Sequence, residues 1–150
     1  MKFTISKNII ENIVSSMQPF LNKKDSSAIT SHIYMEVLNA NLIIKSTDYE
    51  MGCEANVSDI KDIIDGKSTV NGSNLLNIIR RLKDEEIVFE VVDNNLNIKQ
   101  KRSNFKLPMY NANEYPDFVK LDNLKSLNIN TINLINSIRK ITPSIDNNNP

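Results

Sequence analysis

A chain of 150 residues that is 40% apolar is long enough for one packed domain or slightly more. Its 18 basic and 18 acidic side chains cancel, so a partner selected by charge must be met by local clusters rather than by a net field. The single cysteine, Cys53, excludes an internal disulfide. No Cys/His array has zinc-ligand spacing, and neither a signal-peptide core nor an apolar run of the roughly 18 residues that cross a bilayer is present. A reducing, cytoplasmic setting is expected.

In chain order, Lys2 to Ile5 alternates, with Phe3 and Ile5 on one face, and predicts a strand. Ser6 is a candidate cap for a helix from about Lys7 to Met17, whose Ile10, Val14 and Met17 form one apolar stripe; Pro19 helps to end it. After a polar connection, Asn22 to Ser27, the two-residue period of Ile29, Ile33, Met35 and Val37 predicts a strand with one buried face. His32 falls on the opposite face, where a solvated histidine is expected rather than a catalytic one. Asn39-Ala40-Asn41 reads as a turn and Leu42 to Ser46 as the next strand. Beyond Thr47-Asp48, the alternation of Tyr49, Met51, Cys53, Ala55 and Val57 predicts a long, half-exposed strand.

Ser58 to Lys67 is charged, ends in Asp65-Gly66 and reads as a loop. Val70 then closes a strand, Asn71 can cap a helix, and Leu75, Ile79 and Leu82 give its stripe. Glu86 to Val92 and Leu96 to Gln100 read as strands joined through Asp93-Asn94-Asn95, and Ser103 to Leu107 as a further short strand stopped by Pro108. Tyr110 to Lys120 looks like a linker. Ile129 and Asn130 then introduce Leu134, Ile138 and Ile141.

The frame of strand end, cap and stripe therefore occurs three times at intervals of about 60 residues, a period that suits a duplicated unit better than a short solenoid repeat. Cap-plus-stripe is common, and coincidence is the competing account. Residues 1 to about 108 read β-α-β-β-β twice, an α+β class with antiparallel sheets and two helices packed on the same side. The third frame has no strands after its helix, which predicts a chain that stops short of a complete unit.

No nucleophile, base and orienter set assembles from the sequence, and three glycines leave no phosphate loop. Asp48 with Glu50, and Asp84 with Glu85 and Glu86, are acidic enough to suggest metal and a small metal-dependent hydrolase as the alternative; each group sits beside a turn or on a strand's polar face, where solvated carboxylates are the simpler explanation. Positive charge is the clearer signal. Arg80, Arg81 and Lys83 follow the middle helix and Lys23-Lys24 the first, which fits either complementarity to the helix dipole or two helices facing a polyanion. Lys99, Lys101, Arg102 and Lys106 sit with Phe105 and Leu107, which the pattern predicts to be exposed, and no acid lies between Leu96 and Leu107, which fits either a charge-guarded edge strand or an interface for an acidic, apolar partner.

Four segments in order resemble the bacterial DNA polymerase III beta subunit family, the ring-shaped sliding clamps: Met1-Lys2-Phe3-Thr4-Ile5, Thr47-Asp48-Tyr49-Glu50-Met51, Arg102-Ser103-Asn104-Phe105-Lys106-Leu107 and Tyr115-Pro116-Asp117-Phe118. The resemblance implies the DNA-clamp fold: domains of two β-α-β-β-β halves related by a pseudo-dyad, three domains per subunit, and two subunits closing a ring with helices inside and sheets outside. It implies a first clamp domain over residues 1–118 and the start of a second over 119–150. It also implies a non-catalytic processivity factor without a cofactor, which encircles duplex DNA irrespective of sequence and works with a second clamp subunit, the replicative polymerase and the clamp loader, away from membranes.

Position by position, the resemblance places DNA contacts at Lys24, Ser73, Arg80, Arg81 and Lys83. Lys24 stands where the family has arginine, keeping charge without bidentate geometry, and Ser73 stands where the family often has a basic residue. The head-to-tail subunit face is placed at Arg102, Phe105, Lys106 and Leu107. Ser27-Ala28-Ile29-Thr30-Ser31 departs from the family's Thr-Leu-Pro-Ile-Leu. The client-binding cleft is implied to lie mainly in later domains.

Overall fold

The computed structural model describes residues 1–22, 28–118 and 127–145. The chain folds as two compact units, Met1–Phe118 and Val119–Pro150. The first unit contains strands β1 (Lys2–Ser6), β2 (His32–Leu38), β3 (Asn41–Thr47), β4 (Gly52–Val57), β5 (Lys61–Ile64), β6 (Gly66–Asn71), β7 (Glu86–Val92), β8 (Asn95–Gln100) and β9 (Ser103–Pro108), with helices α1 (Lys7–Met17) and α2 (Gly72–Arg81). This is the antiparallel α+β architecture the sequence predicts.

The strands form two sheets, of order β5-β1-β7-β8-β9 and β4-β3-β2-β6. Each contains the three-strand meander of one β-α-β-β-β half, and the halves exchange their leading strands. β1 pairs with β7 of the second half, with Phe3 opposite Phe89, while β6 pairs with β2 of the first, with Val70 opposite Ile33. The Phe3 and Phe89 rings stack at 4.8 Å. The β2–β3 and β7–β8 turns each place two consecutive residues at positive φ, Asn39-Ala40 and Asp93-Asn94, the geometry that matches the twist of tightly joined antiparallel strands.

One core fills the unit. Phe3, Ile5, Ile87, Phe89, Leu96 and Ile98 come from one sheet, Ile33, Met35, Val37, Leu42, Ile44 and Val70 from the other, and Ile10, Val14, Met17, Leu75 and Ile79 from the helices. The predicted stripes are thus the buried faces. Asn71 caps α2, its side chain accepting the Asn74 N–H at 3.0 Å. Ser6 makes no side-chain cap bond; instead the Lys7 N–H at the start of α1 donates to the Glu85 carbonyl at 3.1 Å, so a neighbouring segment supplies the missing acceptor. Gly72 opens α2 where an added Cβ would lie 3.0 Å from the Ile33 Cδ1.

Five expectations are corrected. The strand expected from Tyr49 onward begins only at Gly52, because residues 48–51 form a turn in which Tyr49 has φ 78° and the Asp48 N–H donates to the Met51 carbonyl. The segment 58–67 is not wholly a loop: β5 pairs antiparallel with β1, Lys2 opposite Ile64 and Thr4 opposite Lys61, around an irregularity where Asp62 has φ 51° and accepts from the Thr4 hydroxyl at 2.8 Å. All four of its residues are exposed, so it carries no period to read. Residues 29–31 form a 3₁₀ turn rather than the start of β2. His32 is buried, not solvated, and Tyr110 to Phe118 is not a free linker, for one reason. The chain after β9 folds back over β2, the Tyr110 N–H bonding the Thr69 carbonyl and the Tyr115 hydroxyl the carbonyls of His32 and Lys45.

In the second unit, α3 (Thr131–Ile141) is capped by Asn130, which accepts the Asn133 N–H at 3.1 Å. Its predicted stripe, Leu134, Ile138 and Ile141, is exposed.

Candidate nucleic-acid interface

The helices lie side by side and antiparallel. Gln18, just beyond the end of α1, donates to the Gly72 carbonyl at the start of α2 at 3.1 Å, while Glu11, in the middle of α1, approaches Arg80 in the last turn of α2 at 3.8 Å. Burial of Ile10, Val14 and Met17 on one helix and Leu75, Leu76 and Ile79 on the other turns Asn8, Asn12, Ser73, Asn74, Asn77 and Arg80 outward. This surface is polar and rich in amides, with cations at one end: Lys7 pairs with Glu11 at 3.2 Å, and Arg80 shares the same carboxylate. Such a surface can hydrogen-bond and attract phosphates.

Arg81 and Lys83 diverge from Arg80. One residue advances a helix by about 100°, and Arg81 with Lys83 therefore faces the turn between β8 and β9, meeting Lys101, Arg102 and Ser103 around a cleft of about 370 Å³. Gln100 builds its floor: it accepts the Lys83 N–H at 2.9 Å and donates to the carbonyls of Lys83 at 3.0 Å and Glu86 at 3.4 Å. Lys101 is paired with Glu85. Among the described residues Arg81, Lys83 and Arg102 have no carboxylate within ion-pair distance, which leaves three cations open to an anion. This grouping joins two clusters that the sequence keeps apart.

Ser73 is exposed in the first turn of α2. Lys24 lies outside the described residues. Beside the cleft, β9 is the open edge of its sheet, bonded to β8 alone. Arg102 and Lys106 are exposed and Phe105 is half-buried. Leu107 is not the exposed residue the sequence suggests: at 7% exposure it belongs to the core of this chain, opposite Leu96.

The carboxylates expected of a hydrolase do not converge, which removes that alternative. Asp48 accepts the backbone N–H groups of Glu50 and Met51 at 3.1 and 2.8 Å, closing the turn after β3. Glu85 and Glu86 pair with Lys101 and Lys61. Among the described residues no group of three His, Cys, Asp or Glu side chains could hold a metal ion. His32 is equally unsuited to acid–base work. Its Nδ1 donates to the Ala28 carbonyl at 3.0 Å under the edge of Tyr110, and burial, outweighing that bond, lowers its pKa. Burial also raises the phenol pKa of Tyr34, which donates to Glu36 at 2.9 Å, and of Tyr115. These groups fasten the returning segment to the sheet; only the recurrence of Tyr in 34, 110 and 115 hints at it in the sequence.

No helix among the described residues is long and apolar enough to cross a membrane. The family model described as DNA polymerase III beta subunit, N-terminal domain, matches residues 1–120. The beta sliding clamps of two Helicobacter pylori strains, J99 and 26695, are 43% and 40% identical to this chain over 146 residues, 97% of it, and this chain spans 39% of their length. The crystal structure of the Helicobacter pylori beta clamp bound to a DNA ligase peptide superposes with TM-score 0.89 at 41% identity, covering 97% of this chain and 41% of that one. Caulobacter crescentus pol III beta superposes at 0.85 with 26% identity, covering 93% and 38%. The chain belongs to the DNA polymerase III beta subunit family and contains its N-terminal domain.

Proposed function

We propose that residues 1–118 are the first domain, and residues 119–150 the start of the second, of a ring-shaped sliding clamp that encircles duplex DNA and tethers the replicative polymerase. The observation that carries this reading is the antiparallel pair α1 and α2, produced by a duplicated unit and presenting a polar face with terminal cations, in a member of the beta subunit family. The face suits a sliding surface: its contacts are sequence-independent, few and weakened by salt. Lys24, Ser73, Arg80, Arg81 and Lys83 are the proposed DNA-side residues.

The β9 edge with Arg102, Phe105 and Lys106 is the proposed contact with a second subunit, with Leu107 supporting it from within. The ring acts in the cytoplasm with a clamp loader, and its role is topological rather than catalytic. The DNA ligase peptide bound to the Helicobacter pylori clamp suggests that clients are docked by short peptides, on parts of the protein beyond this domain.

Encirclement is tested by loading the full-length protein onto nicked circular duplex and then linearising it. Retention on circles and loss from linear ends is expected; equal retention on both rejects encirclement. Charge reversal of Lys24, Arg80 and Arg81 together should weaken retention on circles, and unchanged retention rejects the DNA-facing assignment.

A further inference from the structure

The acid at the cation-bearing end of the polar face calls for an explanation. Glu11 is the only acidic residue of α1, and α2 has none. Its two carboxylate oxygens are divided between helices: Oε2 lies 3.2 Å from the Nζ of Lys7, one turn earlier in α1, and Oε1 lies 3.8 Å from the Nε of Arg80 on α2. The carboxylate is only partly exposed, whereas the Arg80 side chain is 57% exposed. Arg80 therefore meets the carboxylate through its Nε at ion-pair rather than hydrogen-bond distance, and more than half of its side chain stays open to solvent.

We propose that Glu11 is a tuning residue of the DNA-facing surface, which restrains Arg80 and Lys7 and lowers the attraction of α1 and α2 for a phosphate backbone. The inference rests on the DNA-facing reading above. Two cations flank a single anion at this spot, so the local charge is +1, and it rises to +2 when the carboxylate is neutralised. A ring that must move along DNA gains from such an internal competitor. Each phosphate contact must break before the next forms, and an ion pair at 3.8 Å, on a solvent-facing surface, exchanges with phosphate at little free-energy difference. Salt dependence gives the effect a signature, because every additional phosphate neutralised by the protein steepens the slope of log K against log salt by about 0.9.

The test measures binding of a fluorescent duplex oligonucleotide to the full-length protein by anisotropy across a salt titration, for wild type, Glu11→Gln, Arg80→Ala and the double variant. Gln is isosteric with Glu at this helical position; Glu11→Ala serves as a second neutralising variant should Gln perturb the helix. Glu11→Gln is expected to bind about three- to tenfold more tightly at low salt, with a slope steeper by up to about one. Arg80→Ala should bind more weakly, and the gain from Glu11→Gln should shrink in its background. Weakened Arg80→Ala with Glu11→Gln and Glu11→Ala both at wild-type affinity and slope overturns the tuning role while leaving the DNA-facing reading intact. A gain in Glu11→Gln that persists in full without Arg80 overturns the restraint of Arg80. Wild-type binding by all variants overturns the DNA-facing reading, and the tuning role with it.

Discussion

Replacing Gln100 by alanine removes the side chain that joins the end of α2 to the β8–β9 turn. Two well-formed bonds to the Lys83 backbone disappear, at 2.9 and 3.0 Å, with a longer one to Glu86 at 3.4 Å. Taking about 1 kcal/mol for each of the two short bonds, and a further fraction for a part-buried Lys83 N–H left without its acceptor, the expected loss is about 2–3 kcal/mol. With a urea m-value of about 2 kcal/mol/M, the unfolding midpoint should fall by about 1–1.5 M. Gln100→Glu sharpens the test. It keeps an acceptor for the Lys83 N–H but sets a second carboxylate oxygen against the Lys83 and Glu86 carbonyls, so at neutral pH it should lose at least as much as alanine. The loss should ease on acidification, when the protonated acid can donate again. A Gln100→Ala midpoint equal to wild type would show that the cleft floor does not depend on this side chain.

Phe105→Ala should shift the full-length protein from dimer towards monomer in sedimentation with little change in unfolding, whereas Leu107→Ala, at 7% exposure, should cost about 2–4 kcal/mol of stability in urea melts; a Phe105→Ala protein that stays dimeric rejects the edge-strand interface. His32 gives a pH dependence. Burial depresses its folded pKa below the ordinary 6.5, so the unfolded chain takes up the proton first. Stability is then fully present above about pH 6.5 and falls as pH drops towards the folded pKa. His32→Asn, which can still donate to Ala28, should flatten that decline, and parallel declines in both proteins exclude His32 as the source.

What could be read in advance was whatever local periodicity encodes. Asn71 and Asn130 are caps, Leu75, Ile79 and Leu82 are a buried stripe, and the strands around Asp93-Asn94 pair as their alternation requires. What escaped was set by distant chain. β5 exposes every residue and is defined only by its partner β1. His32 and Tyr34 occupy the outward positions of β2, yet both are buried because residues 110–115 return across them. The site divides in the same way. That Arg80 and Arg81 point apart follows from helical geometry alone, but Arg81 meets Arg102 only because β8 and β9 bring a turn to the end of α2. Lys24, the residue with the most direct family argument, lies outside the described residues.

The exchange of leading strands between halves has a consequence for synthesis. Although the unit is written twice in the sequence, neither half can close by itself: β1 lies between β5 and β7, and Phe3 finds its stacking partner only at Phe89. At about 5–20 residues per second, translation leaves β1 without its main neighbour for roughly 4–17 s. Contacts of such long sequence separation also make the closing step slow in itself. The apolar segment Phe3-Thr4-Ile5 is thus available to nascent-chain chaperones on every round, well before the residue that will cover it has been made.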